Sequence, residues 1–98
     1  MNARGEPEST PWTVYVLVSS RADRTYVGIS TDHERRLDQH NGLAPGGARS
    51  TRGGRPWRIG ATFGPFSTRS QALRIEGEIK RRRGRERLSW SPPRQPAE

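Results

Sequence analysis

Trp12-Thr-Val-Tyr15-Val-Leu-Val18, then a polar step, then Thr25-Tyr26-Val-Gly28-Ile29, is the stretch on which the fold turns. The first run is dense in β-branched and aromatic residues and reads as a strand buried on both faces. Ser19–Arg24 is polar and turn-like, so the second run should return beside the first as an antiparallel hairpin. Gly28 weakens a strand unless something has to approach the backbone closely at that point.

A helix is expected immediately after the hairpin. Thr31 and Glu34 have the spacing of a capping box, and His40-Asn41-Gly42 supplies a stop because glycine adopts the left-handed cap. Residues 42–56 form a loop with five glycines and three arginines, Arg49, Arg52 and Arg55. Such a loop is expected to pack no core and to offer amides and guanidinium groups to a phosphate chain. Trp57–Phe66 reads as a third strand, weakened by glycine at 60 and 64. Thr68 and Gln71 open a second capping box for a helix to about Arg83, with Arg81-Arg82-Arg83 in its last turn, where cations complement the dipole. Arg85–Trp90 is a short amphipathic piece expected to fold back on the sheet. The fold class is α+β, an α/β sandwich: a small three-stranded antiparallel sheet flanked by helices, in the order β-β-α-β-α with the short last piece as a further α. It forms one domain over residues 12–90, with residues 1–11 and the proline-rich 91–98 as tails.

Composition narrows the function. Only 29% of the 98 residues are hydrophobic, so the core is thin and the stability modest. The net charge is +8, almost all of it on arginine because Lys80 is the only lysine. That balance favours a polyanionic partner through counterion release, and guanidinium forks grip phosphate oxygens in pairs. A solvated surface or an arginine-rich codon bias is the plainer explanation. The absence of cysteine excludes disulfides, a zinc finger and a thiol nucleophile. Val14–Val18, the longest apolar run, is too short to span a membrane or form a signal-peptide core, so no membrane partner and a cytoplasmic location are expected.

Three groups of polar residues stand in unusual positions. On the second helix, Ala72, Ile75, Glu76 and Ile79 share a face, which puts one carboxylate in an apolar stripe. A buried carboxylate needs a cation, a strong hydrogen bond or a metal, and the structural explanation is an ion pair with one of many arginines. On the first helix His33, Arg36, Leu37 and His40 share a face, while Arg35, Asp38 and Gln39 supply the solvent side, so Arg36 and His40 can reach one point above the sheet. Tyr15 and Tyr26 are the only tyrosines, one on each strand of the hairpin. Periodicity alone favours core tyrosines with satisfied hydroxyls. Two phenols, an arginine, a histidine and a carboxylate nevertheless make up a site capable of phosphodiester hydrolysis.

Thr13-Val-Tyr15, an 11-residue step to Tyr26-Val-Gly28, then Arg36 and Glu76, resemble a GIY-YIG nuclease domain over almost the whole stretch from Trp12 to about Arg83. The resemblance is to the small stand-alone bacterial members. The loop Gly46-Gly-Ala-Arg-Ser-Thr51 with Arg55-Pro-Trp57 also resembles structure-selective eukaryotic members. It implies that Tyr15 and Tyr26 are the tyrosines of the two motifs, that Arg36 contacts the scissile phosphate, that His40 takes a place held by histidine or tyrosine, and that Glu76 is the single metal ligand, for Mg2+ or Mn2+. Thr13, Val14 and Val27 depart from the family motifs. Many members carry an asparagine beyond the glutamate, whereas the only asparagines here are Asn2 and Asn41. Without cysteine, no counterpart of the zinc-binding partner domain of structure-selective members is expected.

The expected reaction is one-metal hydrolysis of nucleic acid, DNA ahead of RNA, with no protein partner and weak sequence preference. Glu76 holds the ion, Arg36 neutralises charge growing on the phosphate, and a Tyr15 phenolate takes a proton from water with Tyr26 or His40 assisting. A phenol titrates near ~10, so arginine and metal would have to lower it, and His40 is the rival base. Arg35, Arg49, Thr51, Arg52, Arg55, Lys80, Arg81 and Arg82 are the expected nucleic-acid contacts. The alternative is a non-catalytic nucleic-acid-binding module on the same fold, and a third reading is an RNA-directed or ribosome-associated protein.

Overall fold

The computed structural model describes residues 10–92, so most of both expected tails lies outside the described residues. Strand β1 (Trp12–Ser19) is the centre of a three-stranded sheet of order β2-β1-β3, with β2 (Thr25–Ser30) and β3 (Trp57–Phe66) both antiparallel to it. Helices α1 (His33–His40) and α2 (Arg69–Lys80) complete the expected β-β-α-β-α order. Among the described residues no helix is long and apolar enough to cross a membrane.

The alternation of β1 creates two cores. Val14 and Val16, with Val27, pack against Ala72, Ile75 and Ile79 of α2 and against Trp90. Tyr15 and Leu17 point the other way and join Trp57, Tyr26, Leu37 and Ile59 under α1. Every residue from Val14 to Ser19 is buried, as a strand covered on both faces requires. The last piece is a 3-10 turn, Gly84–Ser89, that does fold back on the sheet: Leu88 joins the α2-side core, and Trp90 meets Phe63 edge-on at 5.5 Å.

The glycines of β3 have a purpose that composition alone does not reveal. Val16 pairs with Ala61 and Leu17 with Ile59, so Gly60 is the extra residue of a bulge. A Cβ on Gly60 would lie 2.6 Å from Val18 and 2.7 Å from Leu88. A second register shift, between Trp12 and Val14, takes in Gly64 and Pro65.

Three local expectations need correction. The N-cap of α1 is Asp32 rather than Thr31, its carboxylate accepting from the Arg35 amide at 3.1 Å. Either residue type can cap, and the aspartate adds a full negative charge at the positive end of the helix. Helix α2 has the expected Thr68–Gln71 capping box but ends at Lys80, with Arg81 as its C-cap, so Arg82 and Arg83 lie beyond the last turn. Arg87 closes this end, donating from Nε to the Arg82 carbonyl and from Nη2 to that of Lys80. Finally, the glycine-rich loop does pack. It contains a 3-10 turn, Arg49–Thr51, and Thr51 is completely buried.

With so thin a core, each buried aliphatic carries a large share of stability. Ile79→Ala is expected to cost about 2–5 kcal/mol in urea unfolding. Leu73→Ala, on the outer side of the same helix, should cost under about 1 kcal/mol.

Candidate active site

The site grows from the register of the hairpin. Tyr15 stands opposite Gly28 and Leu17 opposite Tyr26, so the two tyrosines sit diagonally on the α1 face. Their rings are 6.4 Å apart. Tyr15 lies across Gly28 so closely that a Cβ there would be 2.5 Å from its hydroxyl oxygen and 2.7 Å from Cζ. The close approach that a strand glycine requires is therefore the Tyr15 ring itself.

Helix α1 delivers the next two groups. His40, fully buried at its last turn, has Nε2 2.9 Å from the Tyr15 oxygen and Nδ1 2.9 Å from Thr51 Oγ1. The Tyr26 ring packs on His40 at 4.7 Å. Arg36, one turn earlier, donates to the Gly46 carbonyl at 2.9 Å and to the Gln39 side chain, and its charge reaches Tyr15. Tyr15, Tyr26, Arg36 and His40 thus come together as the shared faces of hairpin and helix suggest.

The loop braces this group. Gly47 lies against the end of α1, where a Cβ would be 2.3 Å from the Gln39 carbonyl oxygen. Asn41 grips the backbone of Trp57 from both sides, its Nδ2 donating to the Trp57 carbonyl at 2.9 Å and its Oδ1 accepting the Trp57 amide at 2.6 Å. Arg55 donates from Nε to the His40 carbonyl at 2.7 Å, and Trp57 Nε1 donates to the Thr51 carbonyl at 2.8 Å.

Glu76 approaches from α2. Its side chain is 16% exposed, and Lys80, one turn on, has Nζ 3.4 Å from Oε2. The expected cation is therefore present, but it is the single lysine rather than an arginine. Glu76 is also near enough to Tyr15 for its charge to oppose ionisation of the phenol.

The electrostatics show what Arg36 alone can do. Burial pushes the Tyr15 phenol above its ordinary value of 10.0; Arg36 pulls it back in part, while Tyr26 and Glu76 push it up. A free Tyr15 phenolate is thus not the resting state, because desolvation outweighs the arginine. His40 is pushed down from 6.5 to about 4, first by burial and then by the charges of Arg36 and Arg55. It is neutral at pH 7, with one ring nitrogen able to accept a proton.

The expected nucleic-acid contacts divide. Arg35, Arg49, Arg52, Arg81 and Arg82 are exposed. Lys80 is exposed and paired with Glu76. Arg55 is half-buried and supports the end of α1. Thr51 has to be withdrawn as a surface contact, since it is buried and its hydroxyl faces His40 and the Ala48 carbonyl. Sequence reasoning missed the bracing roles of Asn41, Gly47 and Arg87; the only advance signal was that Asn41 and Gly47 flank helix end and loop in an otherwise featureless polar stretch.

Comparison with known proteins points to one family. Residues 11–89 match the GIY-YIG catalytic domain. Among curated proteins, the chain is 40% identical over 62 residues to the structure-specific endonuclease subunit SLX1 homolog of Cryptosporidium parvum, covering 63% of this chain and 15% of that protein. It is 42% identical over 65 residues to the structure-specific endonuclease subunit slx1 of Schizosaccharomyces pombe, covering 63% and 24%. It is 44% identical over 66 residues to structure-specific endonuclease subunit SLX1 of Malassezia globosa, covering 66% and 15%. The chain thus spans about a quarter or less of the length of these relatives. All three lie on the structure-selective eukaryotic side of the resemblance and do not bear on a bacterial, stand-alone branch.

Two outcomes follow from the site's packing. Gly28→Ala forces the Tyr15 ring aside and should lower stability by about 1–3 kcal/mol, with loss of the Tyr15–His40 contact. The depressed His40 pKa has a defined sign. The unfolded chain binds a proton on this histidine below 6.5 that the folded chain refuses until about 4. Its contribution is fully present above pH 6.5 and is lost as pH falls to about 4, by up to ~3 kcal/mol. Urea unfolding between pH 4 and 7 should show a shallower decline in His40→Gln than in the unchanged protein.

Proposed function

The chain belongs to the GIY-YIG catalytic-domain family, and from that premise we propose that it is a metal-dependent endonuclease that hydrolyses phosphodiester bonds of DNA, with branched or junction DNA as its preferred substrate. The observation that carries this reading is the convergence of Tyr15, Tyr26, Arg36 and His40, with the Glu76 charge within reach of Tyr15. The Tyr15–His40 pair alone would serve either role; its grouping with Tyr26 and Arg36, with the Glu76 charge in reach, is what favours chemistry over binding. The substrate preference rests on its relatives being structure-specific endonuclease subunits and on the exposed Arg49 and Arg52 in the loop that braces the site.

The donor set fits Mg2+ or Mn2+. Among the described residues no group of three or more histidine, cysteine or carboxylate side chains could cage an ion. A hard cation that retains most of its waters needs only the one carboxylate that Glu76 offers. Glu76 would hold such an ion, which would supply positive charge to the phosphate and the leaving oxygen. Arg36 gathers a non-bridging oxygen and offsets charge as it grows there.

The proton path avoids a free phenolate. As water attacks phosphorus it gives its proton to the Tyr15 oxygen, while the Tyr15 proton passes to His40 Nε2 across 2.9 Å. Tyrosine and histidine then act as one base, and the high proton affinity of the isolated phenolate never has to be overcome. Burial is the main reason His40 titrates low, with Arg36 and Arg55 adding to it; a bound phosphodiester offsets the Arg36 share and so raises the proton affinity of His40 in part.

The Glu76–Lys80 ion pair favours a second reading, a nucleic-acid-binding module in which Glu76 is merely neutralised. Labelled single-stranded, duplex and branched DNA incubated with Mg2+, Mn2+ or EDTA separates the two. The nuclease reading expects metal-dependent cutting, abolished in Glu76→Gln with binding changed less than about threefold, and slowed about 100-fold or more in Arg36→Ala. Tight, salt-sensitive binding with no cut would establish the binding module instead.

A further inference from the structure

We propose that Thr51 is a positioning residue of the cleavage reaction: it fixes His40 in the tautomer that carries its proton on Nδ1, leaving Nε2 to receive the proton of Tyr15. This role presupposes the nuclease reading and adds a residue that reading does not use.

The assignment follows from what each atom can do. The Ala48 carbonyl can only accept, and Thr51 Oγ1 lies 2.8 Å from it, so the one hydroxyl proton goes there. Oγ1 then faces His40 Nδ1 at 2.9 Å with only lone pairs, and Nδ1 must donate. A neutral imidazole has a single N–H. Nε2 is therefore an acceptor, and its 2.9 Å contact is a hydrogen bond donated by Tyr15.

A competing contact makes Thr51 decisive. The Ala48 amide points at the same Nδ1 from 3.4 Å, a long approach that only the opposite tautomer could accept. Ala48 thus favours one tautomer through its amide and the other through its carbonyl, relayed by Thr51. Without Oγ1, the amide is left to decide: Nδ1 accepts, Nε2 becomes the donor to the Tyr15 oxygen, and the Tyr15 proton has no acceptor.

The hydroxyl can be removed without losing the turn. The Thr51 amide bonds the Ala48 carbonyl at 3.1 Å and the Thr51 carbonyl accepts from Trp57 Nε1 at 2.8 Å, both independent of the side chain. Thr51→Val keeps the volume and Thr51→Ser keeps the hydroxyl.

The test combines imidazole nitrogen NMR with cleavage kinetics on wild type and both variants. His33 and His40 are the only histidines, so a single assignment identifies the signal. Wild type and Thr51→Ser should show His40 protonated on Nδ1, and Thr51→Val should show the proton on Nε2. With branched DNA and Mg2+, kcat of Thr51→Val should fall about 10–100-fold at unchanged KM, and Thr51→Ser should retain most of it. The role is overturned if wild-type His40 carries its proton on Nε2, if Thr51→Val keeps the wild-type tautomer, or if the tautomer changes and kcat does not. A wild-type protein that cuts no nucleic acid overturns the nuclease reading instead, and the tautomer spectra then judge the hydrogen-bond assignment by themselves.

Discussion

The hydrogen bond between Tyr15 and His40 joins the central strand to the first helix through the middle of a small core, and much of the molecule is arranged to permit it. Both partners are buried, so each would be costly without the other. Gly28 clears the space for the phenol, Gly47 lets the loop close over the end of α1, and Thr51 satisfies the remaining ring nitrogen. The contact is structural and chemical at once. Losing it would leave two unsatisfied polar groups in a core with few apolar residues to compensate.

The fold was legible because its signals are short-range. Alternation in β1, a turn of polar residues, and the capping box at Thr68 and Gln71 each act over a few residues and need no knowledge of the rest. Thr31 against Asp32 is a choice between neighbours that both can cap, which pattern cannot decide. At the end of α2 the Arg87 guanidinium returns from beyond the next turn to bind the Lys80 and Arg82 carbonyls. An interaction of that kind has no periodic trace.

Four members of the candidate site were legible for a similar reason: hairpin register places the tyrosines, and helical spacing places Arg36 and His40. Their protonation states were not. Whether Arg36 or burial governs Tyr15 depends on how completely the ring is covered, and the cover comes from Gly28, His40 and the small core under α1, a long-range packing that no local pattern reports. Thr51 was misplaced for a different reason. Glycine content suggests an open loop, whereas Gly47 packs against the end of α1 and the loop buries Thr51.

Asn41 gives the loop a further property. By taking both the amide and the carbonyl of Trp57, its side chain does what a neighbouring strand would do, and it pins the far end of the 42–56 segment to the helix where the segment began. Its two ends are thus closed on one another by a side chain, like a clasp. Anyone lengthening this protein, to graft on a targeting module or to open the chain at new termini, would choose the longest irregular segment by eye and would choose badly. The exposed tip at Arg21–Asp23 lies between paired strand ends and takes no part in the Asn41 clasp, so chain added there would leave the clasp shut.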